Sequence, residues 1–492
     1  MKFIYTLLFL FFTLISFSQN TNLDLKGVDE KINNLIKQYD AIGLSVSVVK
    51  NGKIIYSKGF GYRDFEKKLL MTDNTLFPIA SMTKAFTGSL LGILESKNQV
   101  SLKEKPSLYV PGLQFYNKKM DDLIAIEDLL CHNSGIGGQG TSLSFFPEKD
   151  KLKTVQRLKY LKPEAEIKNS FSYSNMGYTL VGTIVEQITD KSWDANIQEK
   201  LFEPLQMKAT TTTIEKMIQS NNYSLGYAMY KGKTELVPFE DYYAFSPAGG
   251  IKSSTKDLTN WMRVWLNNGV YNKNQVIPKE YVNKATKLQN VKKNYADYEE
   301  DSFLKGEGFG WNLNAAYGYF RVRHGGNTNG FSTAMDLFPN EKIGIVVLVN
   351  QRGSLLPYLI SDYILRKLHQ LPTDFEYPIN VRDMYKPKIE DEPLNKEKMP
   401  THDLKDFTGS YYANGFGKIE VTEEKGKLFV ILPTYKFKLE HLNYNSFYLK
   451  GMKGFKENMN PEYTIKFVVN TKGEISSLNM YSQKEPIEFN KE

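Results

Sequence analysis

The strongest constraint on the fold is that strand patterns sit at both ends of a long segment whose middle is helical. Residues 43–60 read as a hairpin: Leu44, Val46 and Val48 alternate with serines, Asn51-Gly52 supplies a two-residue turn, and Ile54 to Phe60 resumes the strand. Strand patterns return at 319–324, 331–338 and 343–350, followed by a helix over 354–369. Helical patches at 82–96, 154–161, 176–190 and 255–267 lie between. Strands this far apart in sequence bury their apolar faces by meeting in one sheet, so residues 25–370 are expected to form one α+β domain.

The character then changes. Five of the 19 prolines (Pro372, Pro378, Pro387, Pro393 and Pro400) fall within 371–400 among charged residues with no helical period, which predicts a semi-rigid linker over 371–403. Residues 404–492 are nearly all strand pattern. Lys418 to Thr422 and Lys427 to Leu432 flank a turn at Gly426, Tyr435 to Leu442 alternate, and Thr464 to Val469 lead into Lys472-Gly473. Regular short strands in so short a segment predict a small closed β-barrel.

At the start, Lys2 precedes an apolar run from Phe3 to Phe17 with small residues Ser16 and Ser18 before Gln19. As a helix this run rises only about 22 Å, short of the ~30 Å hydrocarbon core. It is expected to be a signal peptide over 1–18, leaving an exported protein, periplasmic or extracellular, with no stable membrane insertion. The chain holds one cysteine, Cys131, so an intramolecular disulfide is excluded. The net charge of +8 comes from 63 basic and 55 acidic residues without a basic stripe, so no nucleic-acid partner is expected.

Few segments carry chemistry. There is no H-E-x-x-H helix, and five scattered histidines form no metal-binding pattern, so neither metal nor other cofactor is expected. Gly330-Phe331-Ser332-Thr333-Ala334 misses the nucleophile-elbow pattern at its last position, and Gly226 with Gly232-Lys233-Thr234 misses P-loop spacing by one residue. Ser-x-x-Lys occurs four times. Ser47 and Lys50 lie on a strand, where residues three apart face opposite sides. Ser302 and Lys305 lie in an acidic, exposed stretch, and Ser253 to Lys256 reads as a helix start with Ser254 as cap. Ser81-Met82-Thr83-Lys84 differs, because an apolar, small-residue helix, Ala85 to Leu94, continues from it. Positions i and i+3 share a helix face about 5–6 Å apart, and burial lowers an amine's proton affinity. Ser81 could equally be the cap of a core helix.

Two further segments bear on the choice. Phe171-Ser172-Tyr173-Ser174-Asn175 places a phenol and an amide in a polar loop before a helix. Arg323-His324-Gly325-Gly326-Asn327 lies at a strand end, with glycines that permit close approach. In this order the three motifs resemble those of the serine β-lactamase and penicillin-binding-protein superfamily, nearest to class C-like serine hydrolases. Leu129-Leu130-Cys131-His132-Asn133-Ser134-Gly135, Pro204-Leu205-Gln206-Met207, Ala248-Gly249-Gly250 and Gly308-Phe309-Gly310-Trp311 match supporting phrases of that family. The 404–492 segment is similar to lipocalin-like barrels appended to such hydrolases.

The resemblance implies an antiparallel sheet flanked by helices, with an all-helical subdomain, over 19–370. It implies Ser81 as an acylated nucleophile, with Lys84 and Tyr173 sharing the base role, which sequence alone does not divide between them. Asn175, His324, Gly326 and Asn327 would bind substrate, with the N–H groups of Ser81 and Asn327 as oxyanion hole. His324 stands where many relatives carry lysine; a neutral imidazole donor there disfavours carboxylate-bearing substrates. His132 and Cys131 read as structural. The expected partner is a small ester or short peptide, with oligomeric state left open. The alternatives are a true β-lactamase or DD-peptidase, and a non-catalytic sensor of envelope peptides that uses the barrel for recognition. The barrel could also cap the site.

Overall fold

In a computed structural model, the structure describes residues 25–137, 140, 142–230, 233–292, 302–374, 398–450, 464–481 and 486–492. The expected signal peptide and most of the expected linker lie outside the described residues.

The hairpin forms as its turn chemistry requires. β1 (Gly43–Lys50) and β2 (Lys53–Asp64) are joined by Asn51 and Gly52, both at positive φ (50° and 73°), the backbone of a type I′ turn. With β3 (Leu69–Leu70), β4 (Asn290–Val291), β5 (Ser302–Glu307), β6 (Asn312–Ala316), β7 (Tyr319–Thr328), β8 (Phe331–Phe338) and β9 (Ile343–Val349) they make a nine-stranded sheet, ordered β4-β5-β6-β7-β8-β9-β1-β2-β3. Every pairing is antiparallel, and β1 lies against β9 in the register Leu44–Val349, so the two ends of the domain meet mid-sheet.

Both faces of that sheet are covered. Leu44, Val46, Val48, Ile345 and Val347 pack on α1 (Val28–Gln38) and on Ile360 and Ile364 of the C-terminal helix Leu356–Leu368. The serines alternating along β1 do not face water. Ser45 and Ser47 are fully buried on the other side, where Ser45 Oγ meets Thr255 Oγ1 at 2.7 Å. A strict apolar–polar alternation thus marks two covered faces, one of them sealed by hydroxyl hydrogen bonds.

Between β3 and β4 the chain is mostly helical. α2 (Thr83–Ser96) is buried from Thr83 to Leu94, α3 (Asn175–Thr189) packs on it, and α4 (Thr255–Leu266) covers the sheet beside β1 and β9. Gly92 in α2 exists for close packing: a Cβ there would lie 2.2 Å from Tyr281 Cγ. The expected helix at 154–161 is instead a short α-helix, Lys151–Val155, running into a 3-10 turn, Gln156–Tyr160. The sheet edge β4-β5-β6 carries no clear strand pattern in the sequence, and Ser302 and Lys305, expected in an exposed stretch, lie on β5. The motif containing His324 lies inside β7, which runs on to Thr328 rather than stopping at 324.

At the C-terminus eight antiparallel strands, from Gly409–Ala413 to Ile487–Lys491, close into a barrel through Tyr411–Lys491 and Tyr412–Asn490. Its interior takes alternate residues such as Leu428 and Val430, Phe437 and Leu439, Ile465 and Phe467. The barrel docks on the helical region: Phe145 meets Tyr435 and Phe437 edge-on, Phe146 stacks on Phe489, and Thr434 Oγ1 donates to Phe145 O. Aromatic pairs contribute about 0.5–1.5 kcal/mol each beyond burial.

Candidate active site

Ser81 is presented by a strained, pinned turn. Phe77–Pro78 pairs with Lys252–Ser253, Ile79 N donates to Ile251 O, and Ala80 is held at φ +47°, a left-handed conformation costing about 1–2 kcal/mol. The 3-10 turn Ala80–Met82 then leads directly into α2, which carries Lys84 one turn beyond the serine. On the other side β7 outruns its neighbour β6, whose last partner is Arg323, so residues 324–328 present an open edge to this turn. Gly326 makes that approach possible, because a Cβ there would lie 2.3 Å from Ile79 O and 3.1 Å from Ala80 Cβ. We expect Gly326→Ala to push strand and turn apart, lowering kcat/KM about 100-fold, as misplacements near 1 Å do. Steady-state kinetics beside a thermal melt would check it, and unchanged kinetics would refute it.

Three sequence segments converge on the serine. Lys84 Nζ lies 3.1 Å from Ser81 Oγ, 2.8 Å from Asn175 Oδ1 and 2.9 Å from Ala248 O. Tyr173 Oη donates to Ser81 Oγ at 2.7 Å. Ser174 caps α3 by accepting from Gly177 N, which fixes Asn175 at the first turn of α3 and Tyr173 just before it. His132 supports this loop. Its Nδ1 accepts from Ser174 N at 3.1 Å, and its ring lies 4.5 Å from that of Tyr173, so it positions the phenol rather than the substrate. The neighbouring Cys131 is buried, and its thiol is pushed well up by burial.

The protons are decided by burial. Lys84 is fully buried, and desolvation takes its amine well below the usual lysine range, opposed by the charge of Glu307. The carbonyl oxygens of Asn175 and Ala248 can only accept. As an ammonium Nζ donates to Ser81 Oγ as well as to these two carbonyls; once it has lost a proton, its two N–H groups serve the carbonyls and its lone pair is left for the Ser81 hydroxyl. Tyr173 is pushed above its ordinary value, chiefly by desolvation; with 37% of its surface exposed that push is tempered, yet its direction keeps the phenol protonated. Asn175 retains an Nδ2 with no protein partner among the described residues.

His324 is buried and held near 3, by desolvation first and then by the nearby Lys84, so it is neutral across the neutral range. Nδ1 lies 2.6 Å from Gly325 O, which only accepts, so Nδ1 carries the proton. This corrects the expectation of a neutral donor: the remaining Nε2 can only accept. The other Ser-x-x-Lys candidates stay apart from this chemistry. Ser254 caps α4 by accepting from Asp257 N, and Ser47 bonds Ser57.

Of the residues singled out in the sequence, hydrogen bonds join Ser81, Lys84, Tyr173 and Asn175, Gly326 packs against the serine's turn, and His324 and Asn327 lie beside Gly326 on β7, where Asn327 Oδ1 accepts from Ser332 Oγ. Sequence reasoning missed Lys292 and Glu307, a buried ion pair with Nζ 2.5 Å from Oε1, whose two residues sit 15 positions apart with no motif around Lys292. It quoted Ala248 only as part of a phrase; the carbonyl that anchors Lys84 carries no sequence signal beyond that.

The family described as Beta-lactamase matches residues 28–367, and one described as Domain of unknown function (DUF3471) matches 394–491. Protein flp of Staphylococcus aureus (strain MW2) is 30% identical over 348 residues, covering 69% of this chain and 66% of that protein. The chain thus spans just under two thirds of that relative's length. Teichoic acid D-alanine hydrolase of Staphylococcus aureus (strain MRSA252) is 30% identical over 217 residues, 44% of this chain and 52% of that protein. Among solved structures, the octameric penicillin-binding protein homologue from Pyrococcus abyssi superposes with a TM-score of 0.64 at 22% identity, over 95% of this chain and 100% of that one. That likeness extends to the fold of both domains.

Proposed function

Because the chain belongs to the beta-lactamase family, we propose that it is an exported serine hydrolase that cleaves an ester or amide through an acyl-enzyme on Ser81. The observation that carries this reading is the serine oxygen flanked at once by Lys84 Nζ and Tyr173 Oη. Lys84 is the base. Its lone pair receives the Ser81 proton as Oγ bonds the substrate carbonyl carbon, and the oxyanion is taken up by the N–H groups of Ser81 and Asn327, each worth about 3–4 kcal/mol of barrier. Asn175 Nδ2 orients the substrate carbonyl or amide. Tyr173, protonated at rest, is placed to protonate the leaving group as the tetrahedral intermediate collapses. The phenolate left on Tyr173 takes up the proton that Lys84 holds, which restores both groups; water then attacks the acyl carbon with Lys84 again as base, and the Ser81 oxygen leaves with the proton that Lys84 received from water.

The charge of the site narrows the substrate. Burial holds the Lys84 amine well below its ordinary range and His324 offers only an acceptor, so among the described residues of this site neither supplies a fixed cation to a substrate carboxylate. This disfavours the β-lactamase and DD-peptidase readings. A relative named Teichoic acid D-alanine hydrolase supports a D-alanyl group as the acyl moiety. A non-catalytic sensor has no use for a desolvated amine aimed at a serine.

The test is a panel of p-nitrophenyl esters, D- and L-aminoacyl anilides and nitrocefin on wild type and Ser81→Ala. Turnover of esters or D-aminoacyl compounds by wild type alone is expected; turnover of nitrocefin as the preferred substrate would overturn the substrate reading. His324→Lys supplies the missing cation. It should shift the kcat/KM ratio about tenfold towards carboxylate-bearing substrates, and an unmoved ratio would remove His324 from specificity.

A further inference from the structure

Beneath the base lies a charge pair that the mechanism so far does not use. Glu307, at the end of β5, is 2% exposed, and its partner Lys292 is nearly as buried. Lys292 also donates to Asn312 Oδ1 at 2.6 Å and stands 4.3 Å over the Phe171 ring, at the base of the Tyr173 loop. The chain after Glu307 runs straight to the catalytic helix. Gly310, at φ +74°, lies so close that a Cβ would meet Ala85 Cα at 2.9 Å and Lys84 C at 3.1 Å, and its N–H donates to Leu130 O. Buried ion pairs stabilise a fold weakly or not at all, since desolvation offsets their attraction. A pair retained here calls for another reason.

The charges around Lys84 supply it. Its direct partners, Ser81, Asn175 and Ala248 O, are all uncharged, and the rings of Tyr173 and Tyr178 lie 4.8 and 5.6 Å away. His132 and His324 are both held neutral. Among the described residues Glu307 is the carboxylate whose field reaches Lys84, and that field also reaches Tyr173, Tyr178 and Cys131.

Resting on Lys84 as the base, we propose that Glu307 is a positioning residue for charge: it supplies the counter-charge to the ammonium formed on Lys84 as Ser81 attacks, and Lys292 favours the ionised form of that carboxylate. No atom of Glu307 touches the reacting centre. In acylation the proton moves from Ser81 Oγ to Lys84 Nζ and on to Tyr173, which has protonated the leaving group, and the pair stays fixed while the site's charge changes. Glu307 itself is raised to about 7 by burial against the pull of Lys292, so the attraction weakens as pH falls through that value.

The test uses the full chain with p-nitrophenyl acetate as probe, following kcat/KM from pH 5 to 10. Glu307→Gln should lower the plateau about tenfold and move the acid limb down by about one pH unit, because the lost carboxylate makes Lys84 harder to protonate. Lys292→Met should give the same loss at pH 7, since its abandoned carboxylate takes up a proton there. The double variant should be no worse than Glu307→Gln, and Glu307→Asp should keep the limb in place. A lower plateau with an unmoved limb in a folded Glu307→Gln would overturn the proposal and leave a structural role. Should that variant not fold, Lys292→Met carries the same comparison. Activity surviving in Ser81→Ala would instead sink the hydrolase reading, so the two failures are separable.

Discussion

Ser81→Ala should leave a folded protein whose turnover of any active ester falls by about 10⁶-fold, the scale seen when a nucleophile is removed from a preorganised site. The change deletes one oxygen that accepts from Tyr173 and faces Lys84. The turn itself is held elsewhere, by Ile79 N to Ile251 O and by the Phe77–Pro78 pairing. Loss of stability should therefore stay within about 1 kcal/mol, the net value of one hydrogen bond. Mass spectrometry adds an independent reading. With a slowly deacylating ester, wild type should gain one acyl mass on the peptide containing Ser81, and the variant none. Equal turnover by the two proteins would take Ser81 out of the mechanism.

Lys84→Met should reduce kcat by about 10⁴-fold or more, by removing the base while filling the same buried space. Its second effect concerns stability. In the folded protein the amine loses its proton well below the ordinary lysine range, whereas in the unfolded chain it titrates near 10.4. Between those two values the unfolded state binds one proton more, so wild-type stability rises with pH, by about 1.4 kcal/mol per unit from this one group. The increase ends once both states are deprotonated, above about 10.4. Lys252, lowered to about 8 by burial, adds a similar slope in both proteins and cancels in the comparison. Urea unfolding of wild type and variant between pH 8 and 10 should show the steeper rise only in wild type. Parallel curves would mean that Lys84 keeps its proton in the fold and cannot be the base.

Much of this site was legible because its parts are local. Ser81 and Lys84 are one helical turn apart on an apolar stretch, and Ser174 caps the helix that begins at Asn175. Asn51-Gly52 specified a hairpin through backbone conformations that few other residues adopt. The barrel was legible by the same period-two reasoning, with Gly426 and Gly473 both at positive φ in its turns. The β4-β5-β6 edge was less so. Its strands are short, they straddle an acidic stretch, and Glu307 and Lys292 carry charges at positions that the fold buries. Side-chain polarity there argues for solvent, and only the pairing of the two charges overrides it.

The sequence by itself determined the candidate residues and the local geometry in which they are offered, because helix period, turn chemistry and glycine freedom act over a few bonds. Tertiary structure alone decided their protonation. Burial takes the Lys84 amine well below its ordinary range, against acceptors 91 and 164 residues away that favour its ammonium, and His324 owes its acceptor character to a carbonyl that β7 holds against its ring. A proton's affinity depends on dielectric and on charges summed over space, and neither quantity is written in the neighbouring residues of the chain.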